Sequence, residues 1–317
     1  MYALFRKELA DHLVSRRFLI LFILVLLAAI SATYIAFQYI RSVVTPDTEF
    51  IFLKLFTTSG GTLPSFLFFL SLFIPIIGIS LGFDSINSER ASGNLSRLLS
   101  QPIYRDSVIN GKFLAGLAVL SIMIASMIAI AAGLGLRMIG VPPNSEEVLR
   151  LIVFALISII YGAFWMALAV LFSILFKSAA TSMLASIALW VFLFFFMSVF
   201  PIIPVAIANA SVPIDQNSSL EMISKNIEIQ GIIGRISPST LYGEAVAAIL
   251  SIPEVGSPSF LALMMISTLA AGRMLSPLPF SQSLLLVWPQ LVSIIALAAI
   301  CFAISYIRFM REEIRSI

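Results

Sequence analysis

Six long apolar runs divide the chain, and none of them contains Asp, Glu, Lys, Arg or His. A helix needs about 20 apolar residues to cross a bilayer, and each run reaches that length. The pattern predicts an all-α membrane protein with six transmembrane helices, in which residues 1–317 form a single domain. The predicted spans are 18–40, 63–83, 113–136, 151–176, 183–207 and 284–307.

Composition agrees with a membrane location. Hydrophobic residues make up 60% of the chain and charged residues 11%, with a mean hydropathy of +1.07, and a water-soluble domain cannot bury so much apolar surface. The net charge of +3 gives no indication of nucleic-acid binding. The single cysteine, Cys301, excludes an intrachain disulfide, and the single histidine, His12, has no partners at metal-ligand spacing.

Basic residues are distributed unevenly around the runs. With both termini in the cytosol, 12 of the 19 Lys and Arg residues fall in cytosolic segments and 7 in external segments. The positive-inside rule favours this orientation. We therefore expect a multi-pass protein of the cytoplasmic membrane, with the polar segment 84–112 in the cytosol and the segment 209–283 outside.

The absence of charge from the runs narrows the function. Ion-coupled carriers usually keep an ionisable group within the membrane, and intramembrane hydrolases need a base or a metal. The sequence therefore favours a protein whose work is driven from outside its own spans. A passive membrane scaffold is the alternative.

Residues 1–14 are expected to form an amphipathic helix that lies flat on the bilayer before the first span. An ordinary basic flank of that span is the alternative, and His12 is expected at the surface. The predicted apolar stripe consists of Tyr2, Phe5, Leu9 and Leu13.

The segment 84–112 leaves the second span as a polar helix. The pair Ser92-Gly93 can kink or end a turn, and Pro102 disfavours helix in the residue before it. Between them, Leu95, Leu98 and Leu99 are spaced to form one apolar edge. A polar helix with a narrow apolar edge favours docking to a protein in water, and a solvated loop is the alternative.

The ordered pattern D-x-I-x-x-E-R-x-x-G-x-L-x-x-L-L-S-x-P-I-x-R, followed by G-K, resembles the cytosolic loop of ABC-2 type permeases. These are membrane subunits of ATP-binding-cassette exporters. The opening F-R-K-E-L and the ending S-Y-x-x-F-M-R-x-E-I-R resemble the two ends of the same family. The matching loop residues are Asp84, Ile86, Glu89, Arg90, Gly93, Leu95, Leu98, Leu99, Ser100, Pro102, Ile103, Arg105, Gly111 and Lys112.

This resemblance implies that the loop contains a coupling helix that docks on a separate ATPase. The chain has no phosphate loop of its own, because no glycine lies five residues before Gly111 and no Ser or Thr follows Lys112. ATP and Mg²⁺ would be bound by two copies of the partner, and this chain would bind no cofactor and catalyse no reaction. The implied coupling residues are Asp84, Glu89, Arg90, Gly93, Leu95, Leu98, Leu99, Pro102 and Arg105.

Six spans are half of the twelve that such exporters assemble, so the resemblance also implies a dimer of permease chains. The sequence leaves open whether this is a homodimer or a heterodimer. Membrane lipids are the further expected partners. The resemblance places the second and fifth spans along the translocation path, where lipid or core contacts are the alternative for any given ring. The candidate path residues are Phe66, Phe69, Phe73, Phe192 and Phe195.

The external segment 209–283 predicts a helical cap on the outer leaflet. Candidate helices are 219–230, a helix that begins at Pro238, and 260–271, which is too short to span. The cap is a candidate exit gate, a platform for an extracytoplasmic partner, or packing that shields the exit. A second interfacial helix is expected at 50–56. Asn209 and Asn217 match the glycosylation acceptor pattern.

The resemblance therefore implies export of a substrate, powered by a partner ATPase. The uncharged spans suit amphipathic or lipid-like cargo better than small ions. The alternative is a membrane subunit that transmits ATPase motion to an extracytoplasmic partner without moving cargo.

Overall fold

The computed structural model describes residues 2–43, 50–57, 65–94, 104–196, 232–250 and 279–311, and every regular element within these ranges is helical. A π-helical turn, Phe192–Phe196, continues the helix Ala179–Val191. The helices are α1 (Tyr2–Val14), α2 (Arg16–Val43), α3 (Ile51–Thr57), α4 (Phe66–Gly82), α5 (Asn87–Ala91), α6 (Arg105–Ile139), α7 (Ser145–Leu175), α8 (Ala179–Val191), α9 (Pro238–Leu250) and α10 (Phe280–Arg311).

Five helical segments among the described residues are long and apolar enough to cross a membrane. They are Arg16–Arg41, Phe66–Ala91, Arg105–Ile139, Ser145–Leu175 and Phe280–Arg311. The multi-pass, all-helical architecture therefore agrees with the prediction. The fifth predicted span, 183–207, is described only to residue 196, within the shorter apolar helix Ala179–Phe195. The count of six spans stays a prediction.

Helix α7 is the centre of the bundle and packs against α4, α6, α8, α9 and α10. Its inward positions carry large side chains with no exposed surface, including Phe154, Tyr161 and Trp165. Ile152 and Leu156 on its outward face are more than half exposed, as expected for side chains that contact lipid. A helix buried over most of its length acts as the frame to which the others attach.

Helices α4 and α7 approach closely through glycine. A Cβ atom at Gly78 would lie 2.6 Å from the carbonyl oxygen of Gly162, and one at Gly82 would lie 2.7 Å from that of Met166. Small residues at such contacts let the backbones of membrane helices touch, which gains van der Waals contact where no hydrophobic force acts between helices.

The bundle has two ends. The α1 end carries α1, α5 and the first turns of α6, and the α3 end carries α3 and the first turn of α7. Helix α3 was expected to lie at the interface, but Phe52, Leu53 and Phe56 are 0–3% exposed in contact with α2, α4 and α6. Glu147 explains this position, because its Oε1 accepts hydrogen bonds from the backbone N–H groups of Phe52 and Leu53 at 3.1 and 3.4 Å.

Helix α1 is present as predicted, and a face other than the apolar stripe packs against the bundle. It packs against α6 through Leu4 and Glu8, both buried, whereas Tyr2 and Leu13 of the predicted apolar stripe are 73% and 38% exposed. The structure contains no bilayer, so the placement of the stripe on the membrane surface stays a prediction. A buried lysine on α6 attracts Glu8 inward, which apolar periodicity alone does not reveal.

The helix expected after Pro238 is confirmed as α9, but it packs inside the bundle between α7 and α10 rather than over it. Helices α9 and α7 run antiparallel, because Tyr242 contacts Ser158 near the middle of α7 and Ile249 contacts Arg150 near its start. The helices predicted at 219–230 and 260–271, with Asn209 and Asn217, lie outside the described residues.

Candidate functional site

Residues 83–94 follow α4 and are called the turn below; they include the short helix α5 and end sharply. Backbone hydrogen bonds run from Arg90 to Ile86 and from Ser92 to Ser88, and Gly93 then adopts a φ of 71°. That left-handed conformation suits glycine and stops the helix. The prediction that Ser92-Gly93 ends a turn is confirmed.

A buried asparagine fastens this turn to α7. Ser173 Oγ accepts hydrogen bonds from the backbone N–H groups of Ile86 and Asn87 at 3.0 and 3.2 Å, and it donates to Asn87 Oδ1 at 2.7 Å. Asn87 Nδ2 donates to the carbonyl of Phe176 at 3.4 Å. Asn87 and Ser173 have no exposed surface, so four hydrogen bonds hold the start of the turn against the last turn of α7.

A buried lysine fastens the same turn to α1 and α6. The Nζ atom of Lys112 lies 2.8 Å from Glu89 Oε1 and 3.0 Å from Glu8 Oε2. The three side chains are only 9%, 15% and 10% exposed, respectively. Charges removed from water in this way hold their geometry tightly, because separating them leaves an uncompensated buried ion.

A third contact ties the turn to α2. Arg17 Nη1 donates to Asp84 Oδ2 at 2.5 Å, and the Arg17 guanidinium lies over the ring of Phe83 at 5.6 Å. Arg17 is well exposed, so this pair contributes less than the buried lysine does. The turn is thereby joined to four other helices.

A cleft of about 170 Å³ opens between α1, the turn and α6. Within the described part of the chain, two buried oxygen atoms on its wall, Ser85 Oγ and Glu89 Oε2, have no hydrogen-bond partner. His12, expected at the surface, is half-buried on the same wall. Burial lowers the pKa of His12 below its ordinary value, against the opposing charge of Glu8.

The model of the family described as ABC-2 family transporter protein matches residues 2–314. The chain belongs to the ABC-2 transporter family. It is also 26% identical over 210 residues to the "Probable ABC transporter permease protein NosY" of Pseudomonas aeruginosa, a match that covers 65% of this chain and 70% of that protein.

The structure places the predicted coupling residues of this ABC-2 protein unevenly. Asp84 and Glu89 are partly buried in ion pairs, and Arg90 and Arg105 are half-buried. Gly93 is exposed, together with its neighbours Ala91, Ser92 and Asn94. Leu95, Leu98, Leu99 and Pro102 lie outside the described residues.

Sequence reasoning missed three residues that hold the turn: Glu8, Asn87 and Ser173. Asn87 falls between the matched positions of the motif, and Glu8 lies outside the predicted apolar stripe of α1. A polar residue within a long apolar run was the available signal for Ser173, since its hydroxyl must find a partner inside the bundle.

The candidate path aromatics of the ABC-2 protein divide into two groups. Phe66 is fully buried edge-on against Phe56, and Phe69 stacks on Phe73 with ring centroids 6.2 Å apart. Phe192 and Phe195 are 41% and 54% exposed. The first group is part of the core, whereas the second presents rings on the surface of the bundle.

A buried carboxylate lies beside the uncharged spans. Glu244 on α9 is 1% exposed, and its Oε2 accepts from Arg235 Nε at 3.0 Å and from Gln290 Nε2 at 3.2 Å. The predicted spans are indeed uncharged, but the packing of α9 beside α7 brings a carboxylate to their level. Periodicity could not show this, because residue 244 lies in a segment too short to be recognised as a span.

Proposed function

We propose that the chain is the permease subunit of an ABC exporter, which moves its substrate across the cytoplasmic membrane with energy from a separate ATPase. The α1 end of the bundle is the cytosolic end in this proposal. Two ATPase subunits, which hold ATP and Mg²⁺, serve a dimer of permease chains. Membership of the ABC-2 family and the permease name of the relative support the role.

One observation carries the proposal. The exposed part of the turn, Ala91 to Asn94, is continuous with a segment that is bound to α1, α6 and α7 through Lys112 and Asn87. A loop without such contacts would deform when a docked ATPase moves. A turn fixed to three helices moves with them as a rigid body and so transmits the movement of the ATPase.

The mechanism follows from that rigidity. When ATP binding closes the two ATPase subunits, a docked turn moves with them and takes the attached ends of α6 and α7 along. Because α4 and α7 touch through Gly78 and Gly82, α4 moves with α7. Tilting these helices in both copies changes which side of the membrane the path between them faces.

Photo-crosslinking in intact cells tests the docking. A photoreactive phenylalanine at Ser92, which is exposed beside Gly93, should capture the ATPase subunit. The same amino acid at Val141, 45% exposed near the α3 end, is the matched control and should not. Capture from Val141, or none from Ser92 in a complex that contains the ATPase, would refute the assignment of the docking face.

A further inference from the structure

The position of α9 relative to α7 and α10 gives the depth of its polar residues. Ile249 contacts Arg150 near the α3 end of α7, and Glu244 lies five residues before Ile249 on α9. Glu244 also contacts Gln290, which lies six residues into the apolar run of α10. At 1.5 Å per residue, both counts put Glu244 about 8–9 Å inside that end of the bundle. This is the depth of lipid tails rather than of headgroups.

Glu244 holds an arginine at that depth. The Nε atom of Arg235 contacts both carboxylate oxygens, at 3.0 and 3.4 Å, while the carboxylate itself is 1% exposed. Gln290, only 9% exposed, donates to the same carboxylate. The remaining amide oxygen of Gln290, Oε1, is buried and has no hydrogen-bond partner within the described part of the chain. The cluster therefore has an acceptor to spare.

The arginine is not enclosed. Its side chain is 52% exposed, and its hydrogen bonds to Glu244 come from Nε rather than from the two Nη groups. A guanidinium exposed to hydrocarbon is costly, so such residues face a water-filled path or a polar ligand. Two Nη groups side by side match the oxygen atoms of a phosphate or carboxylate.

Exposed apolar residues flank this arginine along the chain. Ile232 and Ile236 next to it are 63% and 61% exposed. Ser237 Oγ donates to the carbonyl of Leu193 at 2.9 Å, which brings the exposed rings of Phe192 and Phe195 to the same region. A cation with an apolar border on a spanning bundle fits a ligand that has one anionic group and one apolar chain.

We propose that Arg235 binds the phosphate or carboxylate group of an anionic amphiphile, whose apolar chain lies on Ile232, Ile236, Phe192 and Phe195. Glu244 and Gln290 are positioning residues that fix the guanidinium from behind. If the chain exports a substrate, as proposed above, the substrate is an anionic amphiphile; this statement rests on the proposed function. An anionic phospholipid of the membrane has the same chemical groups and could occupy the same site.

The test uses the permease alone, in phosphatidylcholine nanodiscs, so that it does not depend on the ATPase. Ile236→Cys in a Cys301→Ser background reports on the site by its rate of modification with a water-soluble anionic methanethiosulfonate. Dodecyl phosphate should slow this reaction, whereas inorganic phosphate and dodecyl maltoside should not. Nanodiscs that contain phosphatidylglycerol form a separate arm, and slowing there identifies a membrane lipid as the source.

The deciding variant is Arg235→Gln with Glu244→Gln, because removal of the arginine alone would leave a buried carboxylate unpaired. The double variant should bind dodecyl phosphate about tenfold more weakly or worse, the loss expected for a charge-assisted contact. Glu244→Gln alone keeps the cation but loses the charge that positions it, so protection by dodecyl phosphate should fall by less than in the double variant. Arg137→Gln, at an exposed arginine on α6, should be unchanged.

Three results would overturn the proposal. Protection that survives in the double variant would show that Arg235 does not hold the anion. Equal protection by inorganic phosphate would remove the apolar part of the ligand. Failure of Ile236→Cys to react in a folded protein would mean that the site is covered, for example by the second permease copy. None of these results bears on whether an ATPase drives the protein.

Discussion

The Lys112 cluster and the Arg235 cluster both set a cation beside a buried carboxylate, yet they treat the cation differently. Lys112 is 9% exposed and lies between two carboxylates. Arg235 is 52% exposed and meets one carboxylate through a single edge of its guanidinium. An enclosed cation holds helices together, whereas an open one can bind something else. The Lys112 cluster therefore fits a role in holding helices together at the α1 end, and the Arg235 cluster fits the proposed ligand site nearer the α3 end.

Removal of the enclosed cation should have the largest effect. Lys112→Met leaves Glu8 and Glu89 buried without a counter-ion, and loss of one partner from a buried ion pair costs about 3–5 kcal/mol. We expect a large fall in thermal stability, measured by size-exclusion chromatography after heating in detergent. Lys112→Met with Glu8→Gln and Glu89→Gln removes all three charges and should recover much of the loss. A single variant as stable as the parent would show that the lysine does not join these helices.

The close contact between α4 and α7 should contribute the next largest share of the stability. Gly78→Val puts side-chain atoms where a Cβ alone would lie 2.6 Å from the Gly162 carbonyl, so the helices must separate. Overpacking of this kind costs about 1–3 kcal/mol. Gly133→Ala is the matched control, because a Cβ there meets nothing within 4 Å. Equal melting temperatures for the two variants would contradict the close approach.

The hydrogen bonds between Asn87 and Ser173 should contribute less to stability than the ion pairs of Lys112. Asn87→Ala removes the partner of Ser173 and of the Phe176 carbonyl, and an unsatisfied buried group costs about 1–3 kcal/mol. Asn94→Ala changes an exposed asparagine in the same segment and should stay within about 0.5 kcal/mol of the parent. Thermal melting of both variants makes the comparison. A larger loss from Asn94→Ala would reverse the assignment.

The smallest effect concerns pH at the α1 end. Burial lowers the pKa of His12 from 6.5, so the unfolded chain binds a proton more readily than the folded chain. The stability that the neutral imidazole contributes is complete above that value and is lost as the pH falls below it. The melting temperature should therefore decrease between pH about 7.5 and about 5.5. His12→Gln should reduce this decrease, and an unchanged pH dependence would exclude His12 as a contributor.

The comparison also separates what the sequence predicts from what it does not. The apolar runs predict the long helices, and the spacing around Gly93 predicts where the turn ends, because both depend on neighbours along the chain. The α9 helix was predicted but placed outside, since its 13 residues are too few to indicate a span and its position depends on contacts with α7.

Within the candidate site, the same distinction applies. The motif around Asp84 and Glu89 was recognisable as an ordered pattern, but Asp84 pairs with Arg17, 67 positions away. Glu89 pairs with Lys112, which also binds Glu8 from the start of the chain. Only folding shows that Lys112 points at both carboxylates. The Arg235 cluster has no local pattern at all, because Glu244 and Gln290 are 46 residues apart.

The central claim is that the turn after α4 moves with its helices when ATP binds, and one distance tests it. Ser92→Cys in the Cys301→Ser background carries a spin label on the exposed turn of each permease copy, within the complete complex with its ATPase in nanodiscs. The account predicts that the distance between the two labels changes when ATP and vanadate are added. Asn87→Ala should weaken this change although the variant complex, assayed without vanadate, still hydrolyses ATP. An unchanged distance in the parent complex, or the full change in Asn87→Ala, would contradict the account.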